Sequence, residues 1–317
     1  MRLALSARAY RRITFGAVLA LSFITISGAA VRLTGSGLGC SDWPTCEEDQ
    51  FVAALDSPHA MVEFVNRLVT GAVSIAIIAA VLGALIRVPR RRDLLWWSLG
   101  LVVGMVAQIV LGGMVVLLEL APVSVIGHFM LSMVLLWNAL VLHDRASTAA
   151  GPAAVVAPPA VRRLTGALLG WGLLVLTTGT VVTGAGPHGG DSRADRLPIA
   201  IPDAARIHGV AVIILLVLAV TTIALLVRQG TTPRLDRRAR WLVGAIVVQG
   251  AIGYTQYFTG VPALLVELHI AGAVIVWAAV VQLRLATVAR PDEVHERDAD
   301  DPAAVDGAHR PTPTSVG

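Results

Sequence analysis

The chain of 317 residues is long enough for two average domains, yet 56% of it is apolar and only 15% charged, outside the range of soluble globular proteins. Its pI of about 9.8 comes from 25 basic residues, all of them arginine. That charge is scattered over several short segments rather than gathered on one face, which argues against a nucleic-acid partner and leaves the lipid bilayer as the expected solvent.

The first apolar run, ITFGAVLALSFITISGAAV at residues 13–31, has nineteen positions without a charge, about enough to cross a hydrocarbon core roughly 30 Å thick. A cleaved signal peptide is the other reading of this run, given its basic flank and the small residues Ser27 to Ala30, but its apolar core is long for one. Seven further runs follow, near 62–86, 94–118, 120–142, 164–186, 205–227, 241–260 and 263–283. The expected fold class is therefore all-α integral membrane with eight transmembrane helices.

Arginines fix the orientation. They precede the first run (Arg2, Arg8, Arg11, Arg12) and follow the second, fourth, sixth and eighth, so that 20 of the 25 lie on one side. By the positive-inside rule both termini are expected in the cytoplasm, in a multi-pass protein of the cell (plasma) membrane. Trp96, Trp97 and Trp241 follow arginine-rich loops and read as interface anchors. The two cysteines, Cys40 and Cys46, then fall in the outer loop GSGLGCSDWPTC, where disulfides persist. A disulfide is the favoured reading; metal binding lacks a CxxC, a CxxCH or a nearby histidine cluster, and two free thiols are the third reading.

The Pro/Ala-rich stretch GPAAVVAPP at 151–159 divides the chain. The expected organisation is an N-terminal four-helix half at 1–150, a cytoplasmic linker at 151–163, a C-terminal four-helix half at 164–290 and a disordered tail at 291–317. The halves resemble each other: Gln108 to His128 and Gln249 to His269 are both twenty residues, with Trp137 and Trp277 eight or nine further on. Continued upstream, this alignment makes Asn66 the near-equivalent of His208, and the halves read as parallel repeats, two four-helix bundles side by side.

Four histidines, His59, His128, His208 and His269, lie near the outer ends of even-numbered spans, and ionisable residues inside a membrane usually serve function. His208 and His269, at similar depth in one half, suit axial ligation of a haem iron; another metal, or hydrogen-bonded packing between helices, are the competing readings. The first half is not a copy. Its segment HAMVEFVNR puts His59, Glu63, Asn66 and Arg67 on one helical stripe. A Glu63–Arg67 ion pair is the plain reading, but the aligned Ala205 and Gly209 cannot repeat it, so a bundle-holding role alone does not account for it. A glutamate beside a haem-sized pocket could instead move protons.

Eight spans in two halves, a cysteine pair after span 1, a Glu-x-x-[His/Asn]-Arg segment opening span 2, and histidines opening spans 4, 6 and 8 together resemble the haem A synthase family, over roughly residues 13–285. The resemblance implies a membrane oxidoreductase that converts haem O into haem A for terminal oxidases by oxidising the C8 methyl to a formyl group through hydroxylated intermediates. By carry-over, His208 and His269 would ligate a resident haem b iron, His128 with Glu63 nearby would form the substrate site, and the cysteine pair would be the family's outer-loop disulfide. The family often has His at the position of Asn66. Either His128 alone holds the substrate iron, the preferred reading, or His59 adds a second ligand. Arg32, Arg67 and Arg206 face the outer boundary and could meet haem propionates, with snorkelling to the interface as the alternative for Arg32 and Arg206. His188, in a polar outer loop, is expected to meet solvent, with capping of the haem propionates as the alternative, and Glu267 has no evident role.

Partners implied are haem O, an electron acceptor that the sequence does not name, and the farnesyltransferase that makes haem O. Two other classes of function compete. A b-type cytochrome would only transfer electrons, with its first bundle structural. A parallel-repeat transporter would break its helices near the midplane, whereas the polar groups here cluster at the outer ends.

Overall fold

The computed structural model describes residues 4–47, 51–53, 56–230 and 232–290; the tail expected to be disordered lies outside the described residues. Among the described residues eight helices form: α1 (Ala7–Leu33), α2 (Pro58–Ile86), α3 (Arg92–Leu117), α4 (Pro122–Ala146), α5 (Pro159–Ala185), α6 (Ile201–Gln229), α7 (Pro233–Phe258) and α8 (Ala263–Leu285). A helix of 27 residues such as α1 is about 40 Å long, so it crosses the apolar layer with a turn or more left in each interface. Proline in the first turn starts α2, α4, α5, α6 and α7, where its missing N–H costs nothing. Ser6 and Ser57 cap α1 and α2 through their side chains.

Seven of the eight helices are long and apolar enough to span a membrane, and the chain is an all-α integral membrane protein. The exception among the eight expected spans is α7. Four arginines occupy its first two turns, and Gln249, Gln256, Tyr254 and Tyr257 dilute its apolar stretch. Its length still matches its neighbours. Phe15, Leu19, Phe23, Ile75, Val103, Trp96 and Trp241 all stand exposed on the outside of the bundle, as side chains facing lipid do.

Helix α1 packs on α2 and α4, and α3 packs on α2 and α4; α5 packs on α6 and α8, and α7 on α6 and α8. The two groups meet where α8 touches α1 and α4 and where α4 touches α5. At this seam the buried Trp277 indole donates to the Met133 carbonyl at 2.9 Å and its ring lies against Gly172. The segment expected as a linker at 151–163 is shorter as a connection. Pro159 already opens α5, and Ala154–Val155 (β1) pairs antiparallel with Val288–Ala289 (β2) just past α8.

Candidate functional site

Three histidines sit in one recurrent setting. Each ring lies against a glycine of the preceding helix: His128 on Gly112, His208 on Gly179 and His269 on Gly253. A Cβ at those glycines would come within 3.2, 3.1 and 2.9 Å of the ring's Cε1. Asn66 is placed in kind, with Gly28 of α1 as its neighbour at 3.9 Å. The residue before the glycine binds the side chain in two cases: Ser27 Oγ donates to Asn66 Oδ1 at 2.8 Å, and Thr178 Oγ1 lies 3.1 Å from His208 Nδ1. Thr178 spends its hydroxyl proton on the Val175 carbonyl, so Nδ1 of His208 is the donor and Nε2 keeps its lone pair. The matching glutamines act on backbone instead: Gln108 Nε2 donates to the His128 carbonyl at 3.0 Å and Gln249 Nε2 to that of His269 at 2.6 Å.

The rings of His208 and His269 lie close together, with centroids 6.4 Å apart and planes at 79°. Metal–imidazole bonds of about 2.0–2.1 Å, with about 1.1 Å more from nitrogen to ring centre, would place two axial rings roughly 6.3 Å apart. The observed centroid spacing is close to that value. Among the described residues no three His, Cys, Asp or Glu side chains gather. A bare divalent ion usually takes at least three protein ligands, whereas a haem iron needs only one or two because the porphyrin supplies the others. The Nδ1 atoms of His128 and His269 are buried without a protein partner.

The stripe on α2 separates into distinct roles. Glu63 is buried, with 6% of its surface exposed; its Oε2 accepts from the Cys40 amide at 2.8 Å and its Oε1 from Arg67 at 2.5 Å. Arg67 also donates to the carbonyls of Thr45 at 2.7 Å and Asp42 at 3.1 Å. Both residues thus hold the loop that the Cys40–Cys46 disulfide closes. His59 is exposed and pairs its Nδ1 with Ser36 Oγ at 2.9 Å. Trp43, from the disulfide loop, packs its indole on Gly113 of α3, where a Cβ would lie 2.8 Å from Cδ2.

On the same face a cleft of about 620 Å³ opens between the two loops, lined by Arg32, Gly39, His59, His188, Asp191 and Arg196 among others. Arg32 Nη1 donates to the His188 carbonyl at 2.7 Å. The His188 ring, expected in solvent, instead meets the Val261 carbonyl at 2.8 Å, tying the α5–α6 loop to the α7–α8 turn. Hydrogen bonds from Arg193 hold the Asp191 carboxyl below its ordinary range. Glu267 has one oxygen buried without a partner and Arg32 as the charge it faces. Arg206 lies exposed, 3.4 Å from Asp203 on the same helix face, as a snorkelling side chain would.

The glycines and Trp43 were not singled out from sequence. The signals were present as Ser27-Gly28 against Thr178-Gly179, and as a glycine four residues after each of Gln108 and Gln249. With 30 glycines in the chain, nothing marked these few until the rings were seen against them.

Residues 11–188 match the cytochrome oxidase assembly protein family. Among individual relatives, a protein named heme A synthase from Exiguobacterium sibiricum is 29% identical over 168 residues, 52% of this chain and 56% of that protein. Heme A synthases of another Exiguobacterium strain and of Bacillus licheniformis are 30% and 27% identical over 125 residues, 39% of this chain and 41% of each relative. The match thus spans about half the length of these curated relatives. On a family match over more than half of its residues, the chain belongs to the cytochrome oxidase assembly protein family, that of the haem A synthases.

Proposed function

We propose that the protein is a haem A synthase of the cell membrane, which oxidises the C8 methyl of haem O to a formyl group for use in terminal oxidases. In this reading the chain is a duplicated pair of four-helix halves with both termini in the cytoplasm. The second half (164–290) holds a resident haem b on His208 and His269, and the first (1–150) receives the substrate. The observation that carries the proposal is the His208–His269 pair, two rings 6.4 Å apart, each on a glycine of the preceding helix. The first half repeats the setting with Asn66 and His128. Its departure from symmetry suits a haem that must enter and leave, because a single imidazole ligand releases iron more readily than two. The uninterrupted helices, 23 to 29 residues each, support this reading over a transporter.

When bound, the resident haem supplies one-electron redox chemistry. The chain's own residues orient and insulate. Thr178 sets the tautomer of His208, and the glycines make room for the rings. Glu63 holds a carboxylate at the outer end of the first half, where it could take a proton from the substrate side. Turning a methyl into a formyl group adds one oxygen atom; with water as its source (R–CH3 + H2O → R–CHO + 4 H+ + 4 e−) the step releases electrons, which an acceptor outside this chain must take. Delivery of so hydrophobic a substrate favours docking to the farnesyltransferase that makes haem O.

Expression with a source of haem O, followed by pigment extraction, tests the activity: haem A should appear, and its absence would refute the assignment. For the resident haem, His208→Ala or His269→Ala should abolish the low-spin spectrum, and an unchanged spectrum would sink the ligand pair. The second reading, a cytochrome for electron transfer only, draws on one observation. Glu63 already has a structural task in holding Cys40 and Arg67. If Glu63→Gln protein keeps both its haem b spectrum and the normal rate of haem A formation, the catalytic role of Glu63 is wrong.

A further inference from the structure

The adjacent glycines Gly112 and Gly113 of α3 each receive a ring from a different part of the chain. Gly112 takes His128 from α4, and Gly113, which is buried, takes Trp43 from the disulfide loop. Successive helix positions point about 100° apart, so the indole and the imidazole sit at one level of α3 on adjoining sides of it, at the outer end of the first half. Among the described residues, the second half does not repeat this arrangement at its aligned glycine. There Gly253 takes His269, but the next residue is Tyr254, whose side chain stands 60% exposed on the outside. At these aligned positions an aromatic side chain from a loop is seen in the half that lacks the second histidine.

The loop is built to hold that indole in place. Asp42 Oδ1 accepts from the Trp43 amide at 2.7 Å, and the Asp42 carbonyl accepts from Arg67. Arg67 pairs with Glu63, and Glu63 accepts from the Cys40 amide. The Cys40–Cys46 disulfide encloses the segment. A chain of hydrogen bonds thus runs from the buried carboxylate on α2 to the amide of Trp43, whose ring is only half buried. A loop needing mere anchorage could use any apolar peg. This indole lies against the α3 backbone at the level of His128 with part of the residue's surface left open, as a wall for a flat apolar ligand would.

We propose that Trp43 is a substrate-contacting specificity residue of the first-half site, its indole packing against the macrocycle of haem O beside His128. The proposal rests on the reading of the first half as the substrate site.

The test is titration of purified, resident-haem-loaded protein with haem O in detergent, together with steady-state KM and kcat. Trp43→Ala should weaken haem O binding and raise KM by about tenfold, the scale of one lost aromatic contact and its buried area, with kcat changed less and the resident haem spectrum unchanged. Trp43→Phe should recover most of the affinity. Gly113→Ala, which keeps the indole but puts a methyl into its seat, should reproduce the loss of affinity even if Trp43→Ala expresses poorly. Haem O binding that His128→Ala abolishes but Trp43→Ala and Gly113→Ala leave intact would overturn this proposal alone. Parallel loss of substrate affinity and resident haem in the Trp43 variants would also overturn it, making the indole a structural peg. A wild-type protein that does not bind haem O would overturn the substrate reading and this proposal with it.

Discussion

Removing Arg67 should unlock the disulfide loop. Its guanidinium makes three bonds, to Glu63 Oε1 at 2.5 Å and to the carbonyls of Thr45 and Asp42 at 2.7 and 3.1 Å. In Arg67→Ala the buried Glu63 carboxylate loses its one charged partner and keeps backbone bonds, that from the Cys40 amide foremost. Breaking a buried ion pair by deleting one partner costs about 3–5 kcal/mol. Because 23% of the Arg67 side chain is open to solvent, water replaces part of the loss, and about 3 kcal/mol is the appropriate figure. Both cysteines are fully buried, each with 0% exposure, so a reductant reaches the sulfurs only when the loop opens. Where opening is fast and reversible the rate of reduction follows the opening equilibrium, and about 3 kcal/mol corresponds to an acceleration of roughly 150-fold. The assay is reduction by dithiothreitol in detergent, quenched with a maleimide and read by mass. In a Glu63→Gln background, where no buried charge is stranded, Arg67→Ala should accelerate reduction much less, and the difference is the coupling between the two residues. A reduction rate within threefold of wild type in the single variant would refute the assignment of Arg67 as the loop's anchor.

Gly253→Ala and Gly179→Ala should displace the His269 and His208 rings, since the added methyl would sit 2.9 and 3.1 Å from ring carbon; overpacking of this kind costs about 1–3 kcal/mol. The low-spin haem absorbance per mole of protein should fall, while Gly250→Ala, with nothing within 4 Å of its added methyl, should leave it unchanged. Gly39→Ala would drive a Cβ to 2.3 Å from the His59 carbonyl oxygen, a backbone atom that cannot rotate away. The disulfide loop should therefore shift, and reduction of Cys40–Cys46 should quicken as it does for Arg67→Ala. Trp277→Phe deletes the bond to the Met133 carbonyl across the seam; interhelical hydrogen bonds of this type contribute about 0.6–1.7 kcal/mol. Equilibrium unfolding in mixed micelles should show a loss of that order, and no loss would mean that the indole N–H is equally well satisfied once the halves part.

The helices were legible in the sequence because a bilayer forces every backbone polar group to pair within its own segment, so an uncharged run of sufficient length has few alternatives. The cysteine pair was legible from topology alone, and it is joined in the structure. Spacing also carried information: the twenty-residue interval from Gln108 to His128 and from Gln249 to His269 becomes the same side-chain-to-carbonyl bond in both places. What escaped was contact between distant segments. The single stripe of His59, Glu63, Asn66 and Arg67 suggested one shared target, but a helix stripe is wide enough for neighbours to face a cleft, a loop and another helix. His59 meets Ser36, Glu63 meets Cys40 and Asn66 meets Ser27. The role of glycine was equally hidden, because an absent side chain leaves a mark only when the ring that fills its space is known.

The short pairing of β1 with β2 bears on how the two halves could be made and moved. The connection between them does not swing freely: residues 154–155 are laced to 288–289, and the amides of Val156 and Ala157 both donate to the Thr287 carbonyl. A cut at Gly151 would therefore leave the second fragment with its own clasp intact and the contacts of α8 with α1 and α4 undisturbed. Supplied as two separate polypeptides, the halves should reassociate in the bilayer, which would let variants be built by mixing fragments rather than by remaking the whole gene.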